Sequence, residues 1–158
     1  MLAVASAALL LLPAAPAPGP DLLNLGFQVI NVNSRMCLTA DGPDVEQRRC
    51  DRSDAVRWRI RPASFAGRVE IVYHPDNRCL TADGTAAALT RCAGHSASRW
   101  QLVDSDGPTA QLRNEATGRC LTIAGGSRAE DATAVQDTCN DRRSRRWTVR
   151  VIAAPFLG

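Results

Sequence analysis

Cys37-Leu38-Thr39 … Cys50 … Trp58 is followed by Cys79-Leu80-Thr81 … Cys92 … Trp100 and by Cys120-Leu121-Thr122 … Cys139 … Trp147. The Trp trails the second Cys by 8 residues each time, and the copies begin 42 and 41 residues apart. A unit this short cannot bury its own apolar face, so three of them have to share one core. The pattern predicts a closed domain of threefold pseudosymmetry, with copies over about 27–66, 67–107 and 108–152. Function is then presented on the outer side of the copies.

All six cysteines belong to the pattern, two per copy. Like units fold alike, so the repeat selects the pairs Cys37–Cys50, Cys79–Cys92 and Cys120–Cys139. In the chain-entropy view each bridge stabilises by roughly 3 kcal/mol. A zinc site fits less well, because the short Cys-x-x-Cys pairs zinc favours are missing. Disulfides imply an oxidising compartment. Residues 1–20 agree with that: Met1–Leu12 is uncharged and rich in Ala, Leu and Val, and Pro13–Pro20 is a Pro/Ala stretch. This reads as a signal peptide, with the domain over 21–158 and the protein secreted. No other segment could span a membrane.

The chain has 158 residues, suited to one domain. Its 19 basic residues are all Arg, which points to the codons of a GC-rich, bacterial genome. A net charge of +3 and an aromatic content of 4% argue against nucleic acid as a partner.

Strands are legible from alternation. Val56-Arg57-Trp58-Arg59-Ile60-Arg61 switches strictly between apolar and charged residues, and the segments at Arg99–Leu102 and Arg146–Val151 keep the period of two. One face is buried and one is wet, so the Trps point inward as core residues. Phe27–Val32, Arg68–Tyr73 and Ala110–Asn114 are strands at matching places before each first Cys, each followed by a polar turn. No helical period appears beyond the leader.

These residues carry a resemblance. Asn-x-x-(Ser/Thr)-x-x-Cys-Leu, a second Cys, then a Trp ahead of a short strand, three times over, resembles the ricin B-type β-trefoil lectin domain. Asn114, Thr117, Gly118, Cys120 and Leu121 match its opening in copy three, and Asn31, Ser34, Cys37 and Leu38 in copy one; copy two has Tyr73 in place of the Asn. The resemblance implies an all-β β-trefoil: a six-stranded barrel capped by three hairpins, with up to three shallow sugar sites and no cofactor. A glycan or polysaccharide is the implied partner, held weakly.

The sugar chemistry is altered in every copy. The family places an Asp two residues after the first Cys, where this chain has Thr39, Thr81 and Thr122. It places an aromatic two residues before the second Cys, where this chain has Arg48, Thr90 and Asp137. Its Asn-Gln pair before the Trp is replaced by Ala55-Val56, Ala97-Ser98 and Ser144-Arg145. Only copy three keeps the long segment between its cysteines, which makes Thr122, Gln136, Asp137 and Asn140 the candidate sugar-binding residues. Asp41 and Asp83 are candidate stand-ins for the missing Asp in copies one and two; before Gly, they also serve simply as turn residues. The run Asp141-Arg142-Arg143-Ser144-Arg145-Arg146 is either a solvated loop or a holder of sulfate, phosphate or carboxylate. His74 and His95 lie in different copies, and no nucleophile elbow or metalloprotease motif occurs, so no enzyme and no metal are read here. A second reading keeps the fold and gives up sugars: a protein-interaction module, as in a toxin attachment subunit or a hydrolase inhibitor.

Overall fold

The computed structural model describes residues 25–63 and 66–152. The leader, Phe65 and Phe156 lie outside the described residues. Twelve strands follow one another: β1 (Gly26–Asn31), β2 (Cys37–Asp41), β3 (Asp44–Arg48), β4 (Trp58–Pro62), β5 (Arg68–Tyr73), β6 (Cys79–Asp83), β7 (Ala86–Thr90), β8 (Trp100–Asp106), β9 (Thr109–Asn114), β10 (Cys120–Ile123), β11 (Ala134–Asp137) and β12 (Trp147–Ile152). Six of them close a barrel by antiparallel pairing, in the order β1, β12, β9, β8, β5, β4 and back to β1. The other six form three hairpins, β2–β3, β6–β7 and β10–β11. Each hairpin pairs with a barrel strand, β2 with β1, β6 with β5 and β10 with β9, and the hairpins join one another through pairings of β7 with β3 and β11 and a bridge from Glu46 to Thr133. This is a β-trefoil, and closure removes the free sheet edges on which chains aggregate.

Equivalent residues of the three copies build the core. Val29, Ile71 and Leu112 come from the barrel, Leu38, Leu80 and Leu121 from the hairpins, and Trp58, Trp100 and Trp147 from the starts of β4, β8 and β12, all fully buried in one core. Each indole Nε1 donates to the carbonyl of the Leu in its own copy, at 2.9 Å for Leu38, 2.8 Å for Leu80 and 2.9 Å for Leu121. A buried indole needs such a partner, and the Cys-Leu-Thr strand supplies it. The repeat is therefore one hydrogen-bonded unit: the Trp anchors the hairpin that its own disulfide closes. The three disulfides pair Cys37 with Cys50, Cys79 with Cys92 and Cys120 with Cys139, each with a Cα–Cα distance of 5.0 Å.

One expected strand begins later than its alternation suggests. Val56 belongs to a single 3-10 turn, Asp54–Val56, closed by the Arg57 N–H on the Asp54 carbonyl at 3.0 Å. The same turn precedes the Trp in copies two and three, at Ser96–Ser98 and Arg143–Arg145. Period-two burial survives because Val56 still points inward, as do Ser98 and Arg145.

These turns also lock neighbouring copies together. Asn31 Nδ2 donates to the Ser144 carbonyl at 2.8 Å, and Asn114 Nδ2 to the Ala97 carbonyl at 2.8 Å. In copy two the Tyr73 hydroxyl reaches the Ala55 carbonyl at 3.1 Å, so the departure at Tyr73 keeps the contact. The Asn has a second task, because its Oδ1 accepts the N–H of Asn33 in copy one and of Ala116 in copy three. The matching residue of copy two is Pro75, which has no N–H to satisfy. Pro75 thus removes one of the two N–H groups that the Asn accepts, which partly offsets the loss of its amide.

Candidate functional site

Copy three carries six more residues between its cysteines than copies one and two, a separation of 19 against 13. They form a 3-10 turn at Ala124–Gly126 and a loop leading into β11. Gly125 and Gly126 both take left-handed backbone, with φ of 61° and 64°, a conformation that favours glycine. The loop is pinned to copy one. Gln47 Nε2 donates to the carbonyls of Ser127 at 3.1 Å and Ala129 at 2.7 Å, and Asn33 Nδ2 donates to the Gly126 carbonyl at 2.9 Å.

Between this loop, the hairpin β10–β11 and the turn before β12 lies a recess of about 120 Å³. Ile123, Gly125, Gly126 and Val135 give it an apolar side; Thr122, Asp137, Arg142, Ser144 and Arg145 give it a polar side. Thr122 Oγ1 donates to the Ser144 carbonyl at 2.9 Å, tying the hairpin to the turn across the floor. Thr39 makes the same bond in copy one, to Ala55 at 2.6 Å, whereas Thr81 in copy two pairs with Thr90 Oγ1 at 2.7 Å.

Two departures of copy three meet here. Asp137 stands across from Cys120, and Arg145 lies two residues before the Trp. Arg145 is 6% exposed, and its guanidinium donates to Asp137 Oδ2 and, at 2.6 Å, to Asn140 Oδ1. The Thr138 N–H on Asp137 Oδ1, with Arg145 beside it, holds the Asp137 carboxyl below the usual aspartate range. In copy one the same two positions are Arg48 and Val56, and in copy two they are Thr90 and Ser98. The Asp and the Arg of copy three are therefore a matched pair, since a buried guanidinium needs a carboxylate and further acceptors.

Residues 26–147 match the model of the family described as ricin-type beta-trefoil lectin domain. The chain belongs to this family. No curated protein matches it in sequence. Solved structures share its fold. The designed threefold-symmetric protein ThreeFoil aligns with a TM-score of 0.73 at 18% identity, over 79% of this chain and 97% of that one. The exo-beta-1,3-galactanase 1,3Gal43A from Clostridium thermocellum aligns with a TM-score of 0.76 at 15% identity, over 82% of this chain and 30% of that one. The Haemophilus ducreyi cytolethal distending toxin aligns with a TM-score of 0.71 at 16% identity, over 90% of this chain and 92% of that one.

Within this lectin domain the candidate residues separate. Thr122 and Asp137 line the recess. Gln136 does not: it is 3% exposed, accepts from Thr117 Oγ1 at 2.7 Å, and donates to the carbonyls of Ala86 at 2.7 Å and Gly84 at 3.3 Å. Gln47 has the matching role in copy one, accepting from Ser34 Oγ at 2.7 Å. Both glutamines join one copy to the next. Asn140 supports Arg145 from behind and faces a separate hollow shared with Val103, Asp104 and Gln111. Asp41 and Asp83 are exposed at the ends of their hairpins, across from Asp44 and Ala86. Val135, the glycines and the two arginines complete the recess. Strand phase marks Val135: Ala134 and Gln136 share the inward phase, which turns Val135 and Thr122 to the other face as a cross-strand pair.

Proposed function

We propose that this protein is a non-catalytic, extracellular sugar-binding domain whose working site is the recess of copy three. The observation that carries this reading is the lining of that recess: an apolar wall of Val135 and two glycines faces a half-exposed carboxylate. A pyranose ring presents one C–H face and a rim of hydroxyls, and a site of this composition answers both. Among the described residues no aromatic ring lines the recess, so a bound sugar relies on hydrogen bonds that exchange with water for about 1 kcal/mol each. Single-site binding is therefore weak, in the millimolar range. Attachment to a polysaccharide or a surface glycan suits such an affinity. Export fits the three disulfides.

Titration with galactosides and arabinoxylan fragments, followed by amide NMR shifts, tests the reading. Shifts confined to Thr122–Gly126, Val135–Thr138 and Arg142–Arg145 support it. No shift with any glycan, together with capture of a protein partner, replaces it with the protein-interaction module.

A further inference from the structure

The recess of copy three offers more hydrogen-bond donors than acceptors, and its surplus is cationic. Its acceptors are largely occupied. The Ser144 carbonyl receives both Thr122 Oγ1 and Asn31 Nδ2. Asp137 Oδ1 receives the Thr138 N–H at 2.7 Å, and Oδ2 receives Arg145. Its donors are not all matched. Arg145 Nε is buried and has no partner among the described residues. The Arg142 guanidinium, on the rim, makes no hydrogen bond or ion pair among the described residues, although the Arg142 N–H is fixed on Asn140 Oδ1 at 3.1 Å. Of three charged side chains in the lining, the carboxylate and one guanidinium neutralise each other, which leaves one positive charge.

The hydroxyls of a neutral sugar can accept from these donors, but they carry no charge and leave the net positive charge unanswered. A sugar with an oxyanion answers it, because guanidinium is a planar donor suited to carboxylate and sulfate oxygens. We infer that the recess selects acidic sugars, a pyranose carrying a carboxylate or a sulfate ester, with the oxyanion on Arg142 and the ring against Val135 and the glycines. This inference rests on the sugar-binding reading of the same recess. Arg145 is here a positioning residue: it holds Asp137 in place and adds to the positive field, while Arg142 makes the contact.

Isothermal calorimetry with methyl galactoside, methyl galacturonide, galactose 6-sulfate and acetate separates the outcomes. The expected result is that galacturonide or the sulfate binds about tenfold more tightly than the neutral galactoside, the factor of one charge-assisted hydrogen bond. The preferred acid identifies the oxyanion. Acetate alone should bind at least tenfold more weakly than the acidic sugar, and the substitution Arg142→Gln should bring the ratio of acidic to neutral affinity to about one. The preference should also shrink with added salt. Equal affinity for neutral and acidic sugars overturns the inference and leaves the sugar-binding reading standing. So does an acid preference unchanged in Arg142→Gln. Acetate binding as well as the acidic sugar shows an anion site with no sugar recognition, and overturns both. No binding by any of the four also overturns both.

Discussion

In copy one Arg48 stands across from Cys37 and Val56 fills the place two residues before the Trp; in copy three those places hold Asp137 and Arg145. The backbones agree: both hairpins end on the disulfide, both turns are 3-10, and both Thr hydroxyls reach the carbonyl three residues before the Trp. What differs is the pair of side chains at the hairpin end and in the turn, and the residue across from the Thr. Across from Thr39 stands Glu46, and across from Thr122 stands Val135. Only copy three has the six extra residues that wall a recess. One backbone thus serves as a plain structural corner in copy one and as a candidate site in copy three. The threefold core sets where a site can be, and loop length with two outer side chains sets whether one exists.

The shared core gives the largest expected effect. Trp58→Ala and Trp147→Ala should each cost about 3–5 kcal/mol in denaturant unfolding, since each empties an equivalent place in the one core and leaves a Leu carbonyl without its donor. A difference of several kcal/mol between them would show that the copies do not share one core. The next contrast is asymmetric. Val56→Arg buries a cation with no carboxylate waiting, and should cost about 3 kcal/mol or more. Arg145→Val leaves only a half-exposed Asp137 behind, and should change stability by about 1 kcal/mol or less. Adding Arg48→Asp to Val56→Arg should recover part of the loss. If it recovers none, the pairing of Asp137 with Arg145 does not explain why copy three tolerates a buried arginine.

Smaller effects follow at the joints between copies. Asn114→Ala removes a bond to the Ala97 carbonyl and the acceptor for two turn N–H groups, and should cost roughly 2 kcal/mol. Tyr73→Phe removes one hydroxyl bond and should cost about 1 kcal/mol. Thermal unfolding at matched conditions ranks the two; the reverse order contradicts the partial offset by Pro75. The smallest contrast is in titration. Burial, with Asp131 and Asp41 nearby, raises the Glu46 carboxyl above the ordinary glutamate range, whereas Asp137 lies below the ordinary aspartate range. Linkage then gives opposite signs. The lowered Asp137 favours folding above the unfolded aspartate value, a contribution lost as pH falls through its folded value. The raised Glu46 opposes folding as it ionises, and that penalty disappears on acidification. Carboxyl carbon shifts followed by NMR from pH 2 to 7 (about, spanning both carboxylates) check both directions.

Much of the fold was legible in the chain because the core repeats by residue type. The first Cys of each copy, the Leu after it and the Trp recur because each is fully buried at equivalent places, and burial tolerates little variation. Copy two departs twice from the opening motif: the hydroxyl of Tyr73 takes over the bond of the Asn, and Asp76 accepts the Arg78 N–H as Ser34 accepts that of Met36. The site was less legible, because outward positions vary freely. Gln136 reads as a polar group of a pocket, yet it shares the inward phase of Ala134 and holds copy two. Gln47 at the same place in copy one was the available signal. Arg145 reads as one of four arginines in a solvated run. Only the 3-10 turn, which sets its side chain inward at the place of Val56 and Ser98, distinguishes it from Arg142 and Arg143. Sequence alternation does not show that turn, since its inward residue keeps the strand's phase.

The central claim is that copy three, and not its two counterparts, holds the ligand. Crystals of the protein soaked with methyl galacturonide test it most directly. The sugar is expected between β10–β11 and the turn at Arg143–Arg145, with its ring beside Val135 and its carboxylate on Arg142. A sugar bound instead at Thr39 and Glu46 in copy one, or at Thr81 in copy two, with the recess of copy three empty, would contradict it.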